Sequence, residues 1–221
     1  MSEEIISRRF QLSSFQIIIL GFAGVILLGA LLLMLPISTQ KGCITPFNEA
    51  LFTATSAVCV TGLVLHDTGS YWSAFGQTII LTLIQIGGLG VVTVAASFAL
   101  LSRRRISLMQ RTTMQDAISA PNVGGIVRLT KFILWGTFLI EMIGALAMLP
   151  VFCRYYGWHG IWLAAFHSIS AFCNAGFDIL GTADNLYPSL TGYAQNPIIN
   201  ITIMLLIIIG GIGFLTWEDI W

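Results

Sequence analysis

Ile17–Leu35 runs for nineteen residues without a charge, and Gln77–Leu101 for twenty-five. A helix crossing the hydrocarbon of a bilayer needs about 20 apolar residues, so these runs confine the chain to membrane architectures. Phe132–Val151, with Glu141 as its single charge, and the uncharged Ile198–Thr216 supply two further spans. Phe47–Ala57 and Ile161–Ala171 are apolar but too short to cross, and are expected to be re-entrant or interfacial helices. The expected fold class is therefore all-α integral membrane. Composition agrees: 9% of residues are charged, against about 25% in a soluble domain, and the mean hydropathy is +0.87. No stretch outside the spans is long enough to hold a soluble core. A signal peptide is not expected, since the first run is long and no Ala-x-Ala-like site follows it.

Net charge is zero, but the basic residues are unevenly placed. If the two short pieces do not cross, Arg8, Arg9, Arg103, Arg104, Arg105, Arg111, Arg128 and Lys131 share one side, and Lys41 and Arg154 the other. The positive-inside rule then puts the N-terminus and the Arg-rich loop in the cytoplasm. This split supports the re-entrant reading independently of length. The four cysteines are too few for a disulfide framework. A Cys43–Cys153 bridge on the outer side stays open, with nothing in the sequence to fix their separation.

The chain repeats itself at an offset of 114. Met34, Leu35 and Pro36 match Met148, Leu149 and Pro150. Ala50, Phe52, Ser56, Ala57, Cys59 and Gly62 match Ala164, Phe166, Ser170, Ala171, Cys173 and Gly176 without a gap. After a small insertion, Ile86-Gly87-Gly88-Leu89-Gly90 matches Ile209-Gly210-Gly211-Ile212-Gly213. Each repeat reads as span, proline stop, short helix, small polar stretch, second span. Thr45-Pro46 is expected to start the first short helix, with threonine as cap and proline at the first helical position. The organisation predicted is residues 1–105 as the first repeat, 106–130 as a basic cytoplasmic connector and 131–221 as the second repeat. Irregular backbone at membrane depth is tolerated only where protein buries it or a cavity is lined by it, so two such stretches argue for a pore.

A monovalent cation that sheds its water needs replacement oxygens, and backbone carbonyls past the C-terminus of a short helix can supply them. The helix end carries partial negative charge, and glycine lets the backbone adopt φ > 0. The candidate ion-binding residues are Val60, Thr61, Gly62 and Leu63 in the first stretch and Asn174, Ala175, Gly176 and Phe177 in the second. The plain alternative is a pair of tight turns between packed helices. The repetition and the preceding short helix favour the filter.

Leu35-Pro36-Ile37-Ser38, Ala50–Ala57, Val60-Thr61-Gly62-Leu63, Gln85–Gly90, Phe166–Phe172, Asn174-Ala175-Gly176-Phe177 and Gly210–Phe214 resemble the Ktr/Trk/HKT superfamily of potassium transporters, most nearly its KtrB-type membrane subunits. The resemblance covers nearly the whole chain. It implies a pore of four helix–pore-loop–helix repeats in pseudo-fourfold array, each giving one filter glycine, with Gly62 and Gly176 as the first two. On that basis the chain is expected to be the N-terminal half. Cys59 and Cys173 depart from the threonine or asparagine frequent at those places, which a filter of main-chain oxygens tolerates. The resemblance further implies K+ as the transported ion, leaves Na+ open as a coupling ion, and implies no cofactor held by the chain. Its implied setting is the plasma membrane, multi-pass, with lipid as surroundings. Its implied partners are a second copy and a cytoplasmic nucleotide-binding regulatory subunit docked on the 102–131 loop. No nucleic-acid partner and no enzyme activity are expected. Two other readings stay open: a two-repeat channel completed by homodimerisation, and a membrane scaffold without transport.

Other residues have ordinary readings. Glu141, near mid-span, is either functional or a helix-orienting buried carboxyl. Asp67 and Asp178 are expected to be turn residues or caps rather than a cation-concentrating mouth. The two Gly-Gly-x-Gly runs sit inside spans and serve packing or bending, not nucleotide binding. His66, His159 and His167 show no metal spacing.

Overall fold

A computed structural model describes residues 13–90, 93–94, 113, 115, 126–214 and 216–217. These residues form helices and loops with no strand. The helices are α1 (Ser14–Leu33), α2 (Phe47–Val58), the single turn α3 (Thr68–Tyr71), α4 (Ala74–Leu89), α5 (Ile126–Tyr156), α6 (His159–Phe172) and α7 (Pro197–Ile212). Arg8, Arg9 and Arg103–Arg111 lie outside the described residues, as does most of the predicted connector 106–130.

α1 starts at a capping box. Ser13 Oγ accepts from the Gln16 N–H at 3.3 Å, and Gln16 Oε1 accepts from the Ser13 N–H at 2.9 Å. Gly29, Ala30 and Leu33 of α1 are buried and Phe22, Val25, Ile26 and Leu32 pack partly on the core, while Ile19, Leu20, Leu27, Leu28 and Leu31 are exposed, as hydrocarbon surroundings allow. α1 and α5 are long and apolar enough to cross a membrane. α4 and α7 are apolar but sixteen residues each. The expected unbroken run to Leu101 is interrupted: α4 ends at Leu89, where Gly90 takes a φ of 83°, and most of 91–101 lies outside the described residues; α7 likewise ends at Ile212, short of the expected Thr216.

α1 packs on α2 and α4, α5 on α6 and α7, and α4 meets α6 to join the two groups. One core runs through both, with Leu33, Ile80, Ile84, Met148, Phe152, Leu163, Phe166 and Ile199 fully buried. Polar bonds cross the junction. Trp162 Nε1 donates to Gln77 Oε1 at 2.8 Å, and Gln85 Nε2 donates to Glu141 Oε2 at 3.1 Å.

Two further sequence expectations change, and the disulfide left open is absent. The first proline does stand after a helix end: α1 stops at Leu33, and Ser38 Oγ donates back to the Leu32 carbonyl at 2.7 Å. The second does not. α5 runs through Pro150 to Tyr156 and ends at Gly157, whose φ is 56°. The positions equivalent to Ser38 and Thr39 are Phe152 and Cys153. They offer no hydroxyl to satisfy free carbonyls, and Phe152 is instead fully buried against His167. Thr45 is not a cap either. α2 begins at Phe47 after Pro46 with no side-chain cap, and Thr45 is buried with Oγ1 3.1 Å from the Tyr71 hydroxyl. Finally, Cys43 and Cys153 are both free.

Candidate functional site

The stretches after α2 and α6 have one geometry. The Cys59 N–H donates to the Thr55 carbonyl, Val60 N–H to Ala57 and Thr61 N–H to Ser56, at 2.8, 3.3 and 3.0 Å. In the second stretch Cys173 donates to Ile169, Asn174 to Ala171 and Ala175 to Ser170, at 2.9, 3.0 and 2.8 Å. Every donor and acceptor pair is displaced by the repeat offset. Val60 and Asn174 have φ of 54° and 57°, and Gly62 and Gly176 both have 72°. Asparagine visits the left-handed region readily. A β-branched valine does so rarely, at a cost of about 1–2 kcal/mol. The surrounding bonds hold Val60 there, which is how functional loops carry strain.

The two stretches also touch. A Cβ on Gly62 would stand 2.5 Å from the Ala175 oxygen and 3.4 Å from the Gly176 Cα. A Cβ on Gly176 would have the Gly62 Cα as its neighbour, at 3.8 Å. The Ala175 carbonyl therefore occupies the space that glycine leaves open at Gly62.

The glycine pairs in α4 and α7 set the depth of these stretches. A Cβ on Gly87 would overlap the Val58 carbonyl, and one on Gly210 the Phe172 carbonyl. Val58 and Phe172 are the last residues of α2 and α6 and are equivalent across the repeat. Gly88 likewise lies against Cys173 Sγ. Gly90 and Gly213 then end α4 and α7 with φ of 83° and 90°. The packing role expected of these runs is what brings the ends of α2 and α6 against them.

The eight candidate residues are not equivalent in exposure. Thr61 and Leu63 are exposed, as are Asn174 and Gly176, while Ala175 and Phe177 are buried. The Phe177 carbonyl already accepts from Ser170 Oγ at 2.7 Å. The matching Ser56 Oγ pairs with Thr61 Oγ1 at 2.8 Å instead. A cavity of about 300 Å³ lies beside the second stretch, lined by His167, Ser170, Asn174, Gly176, Phe177 and Asp178 among others.

Four supporting groups stand around the two stretches. Glu141 is buried. Its Oε2 accepts from Gln85, its Oε1 has no partner among the described residues, and its carbonyl accepts from Ser168 Oγ at 2.6 Å. Gln85 Oε1 faces Cys173 Sγ at 3.7 Å, so one side chain bridges α4, α5 and the second stretch. Asp67 is a buried anchor: Oδ1 accepts from the Ser70 N–H and hydroxyl at 2.7 and 2.8 Å, and Oδ2 from the Tyr187 N–H at 2.8 Å. It ties the loop between the second stretch and α7 to the first repeat, with Gly181 pressed against its carboxylate. Asp178 accepts from the Leu180 N–H at 3.1 Å, an ordinary turn bond. His167 is buried, with Nδ1 donating to the Leu163 carbonyl at 2.7 Å. Among the described residues no three His, Cys, Asp or Glu side chains group as a metal site.

A family described as "TrkH: Cation transport protein" matches residues 6–220. The "Potassium/sodium uptake protein NtpJ" of Enterococcus hirae is 43% identical over 213 residues, covering 96% of this chain and 46% of that protein. "Ktr system potassium uptake protein B" of Bacillus subtilis is 42% identical, and its namesake in Vibrio alginolyticus 37%; each match covers 93% of this chain and 44% of the relative. The chain spans less than half the length of these relatives.

Proposed function

The chain belongs to the TrkH family of cation transport proteins, and from that premise we propose that it is a potassium-translocating membrane subunit. In this reading it is a multi-pass protein of the plasma membrane with a cytoplasmic N-terminus. α2 and α6 are re-entrant pore helices, and residues 1–105 and 131–221 are the first two of four repeats around a pseudo-fourfold pore. K+ gives up its water to main-chain oxygens of Val60, Thr61, Gly62 and Leu63 and of Asn174, Ala175, Gly176 and Phe177. The Phe177 oxygen contributes through its remaining lone pair, since Ser170 holds the other.

The observation that carries the reading is the duplicate backbone: equal φ at Gly62 and Gly176, equal hydrogen bonds, and glycines in contact. Two unrelated tight turns have no reason to match in each of these main-chain bonds and to meet. The relatives' names speak of potassium uptake, and one names sodium as well, which keeps Na+ as a coupling ion within the proposal. Those names also weigh against a scaffold without transport. A second copy and a nucleotide-binding regulatory subunit docked on the basic 102–131 segment complete the proposed assembly.

The test is uptake of Rb+ by a potassium-uptake-deficient bacterium carrying the native gene, with Na+ as competitor. Gly62→Ser and Gly176→Ser are expected to lower Rb+ uptake and its preference over Na+. Unchanged preference in both, in protein present at normal level in the membrane, overturns the filter assignment.

A further inference from the structure

The first stretch is flanked by a polar pair that the second lacks. Glu49 sits in the first turn of α2, and His66 follows the stretch on its far side. Glu49 Oε2 and His66 Nε2 are 2.7 Å apart, with the two side chains 30% and 29% exposed. The pair thus closes a loop that holds the rest of α2, from Ala50 on, and residues 59–65. The imidazole lies flat on Tyr71, ring centroids 3.9 Å apart and planes 7° from parallel. The Tyr71 hydroxyl in turn meets Thr45, just ahead of α2. Two contacts therefore run from His66 back to the start of the same helix.

The repeat supplies the comparison. Position 49 corresponds to Leu163 and position 66 to Leu180. Both leucines are buried and belong to the common core. In the second repeat the same two places hold core side chains that do not respond to protons. In the first they are joined by a bond whose strength depends on the charge of an imidazole.

We infer that Glu49 and His66 are a positioning pair, a clip that holds the first stretch from both ends and tightens when His66 is protonated. A neutral imidazole donates one hydrogen bond to the carboxylate; an imidazolium adds a charge pair to it. The other groups facing His66 are Tyr71, stacked on it, and Lys41, Cys43, Asp67 and Tyr187, which share with it a cavity of about 340 Å³. Asp67 is committed to Ser70 and Tyr187, which leaves Glu49 as the carboxylate bonded to the ring. The inference rests on the filter reading above: the clip positions the residues proposed there to meet the ion.

The experiment measures Rb+ uptake with Na+ competition by cells carrying the native gene, between about pH 5.5 and 8, where histidine changes charge. The expected result is a preference for Rb+ that weakens by about two- to fivefold toward alkaline pH, the scale a partly exposed ion pair can supply. The double variant Glu49→Leu/His66→Leu copies the second repeat; it is expected to transport with no such pH dependence. Glu49→Gln keeps a hydrogen bond and removes the ion pair. It is expected to flatten the profile too, and it serves if the double variant fails to reach the membrane. A flat wild-type profile, or a profile that persists in either variant, overturns the clip. Wild-type protein that moves no Rb+ at any pH instead overturns the filter reading on which the clip depends.

Discussion

Gly62 and Gly176 have the same φ of 72° and the same place in their repeats, yet alanine is expected to harm them unequally. Any L-residue in this left-handed region costs about 1–2 kcal/mol. At Gly176 that is the whole cost, because the nearest atom to a new Cβ, the Gly62 Cα, is in ordinary contact at 3.8 Å. At Gly62 the Cβ would stand 2.5 Å from the Ala175 oxygen. That atom is main chain and cannot rotate aside, so the second stretch has to move, at an overpacking cost of about 1–3 kcal/mol. The totals are about 1–2 kcal/mol for Gly176→Ala and about 2–5 kcal/mol for Gly62→Ala. Each 1.4 kcal/mol is about a factor of ten in an equilibrium constant, so the extra cost of about 1–3 kcal/mol is expected to separate the two variants by roughly five- to 150-fold in apparent Rb+ affinity. Competitive Rb+ uptake, with melting temperature in detergent as a control, reads both quantities. Equal effects, or a more damaging Gly176→Ala, would refute the reasoning that the Ala175 carbonyl fills the space beside Gly62.

Three further outcomes follow from the packing around the site. Gly87→Ala and Gly210→Ala, which would stabilise an open helix by up to about 1 kcal/mol, are expected to lower the melting temperature, because each Cβ overlaps the terminal carbonyl of α2 or α6. Asp67→Asn is expected to destabilise by about 1–3 kcal/mol: its carboxylate accepts from Ser70 on one oxygen and Tyr187 on the other, and an amide turns one acceptor into a donor. Gln85→Leu removes the donor to the buried Glu141 Oε2 and is expected to cost a similar amount; Gln85→Leu combined with Glu141→Leu should recover much of it, as thermal melts of the two variants would report.

The repeat was legible because it is written in small residues that few other side chains can replace. Gly62 and Gly176 answer to a positive φ, and Gly87 and Gly210 to a carbonyl at van der Waals distance, so the sequence carries the geometry almost literally. Pro150 misled because proline signals a stop only when the residues after it can satisfy the freed carbonyls. Ser38 does so after Pro36, and Phe152 prefers the core. Thr45 misled for a related reason: its hydroxyl has a partner, but the partner is Tyr71, 26 positions away, and no local pattern announces it. Asp67 was correctly read as a turn residue, yet its bond to Tyr187, 120 positions on, is a property of the assembled repeats. The same holds for Glu49 and His66. Their separation of seventeen residues means nothing until α2 and the return of the chain set them face to face. Phe177 shows the limit on the site itself. Its carbonyl is engaged by Ser170, whereas Ser56, at the matching place, turns to Thr61.

The most direct measurement is anomalous diffraction from crystals of the protein of the native gene grown in Rb+. The account predicts an anomalous peak in contact with main-chain oxygens of both stretches, Val60–Leu63 and Asn174–Phe177, diminished when Na+ replaces Rb+. Rb+ bound elsewhere, with no density beside Gly62 and Gly176, would contradict it.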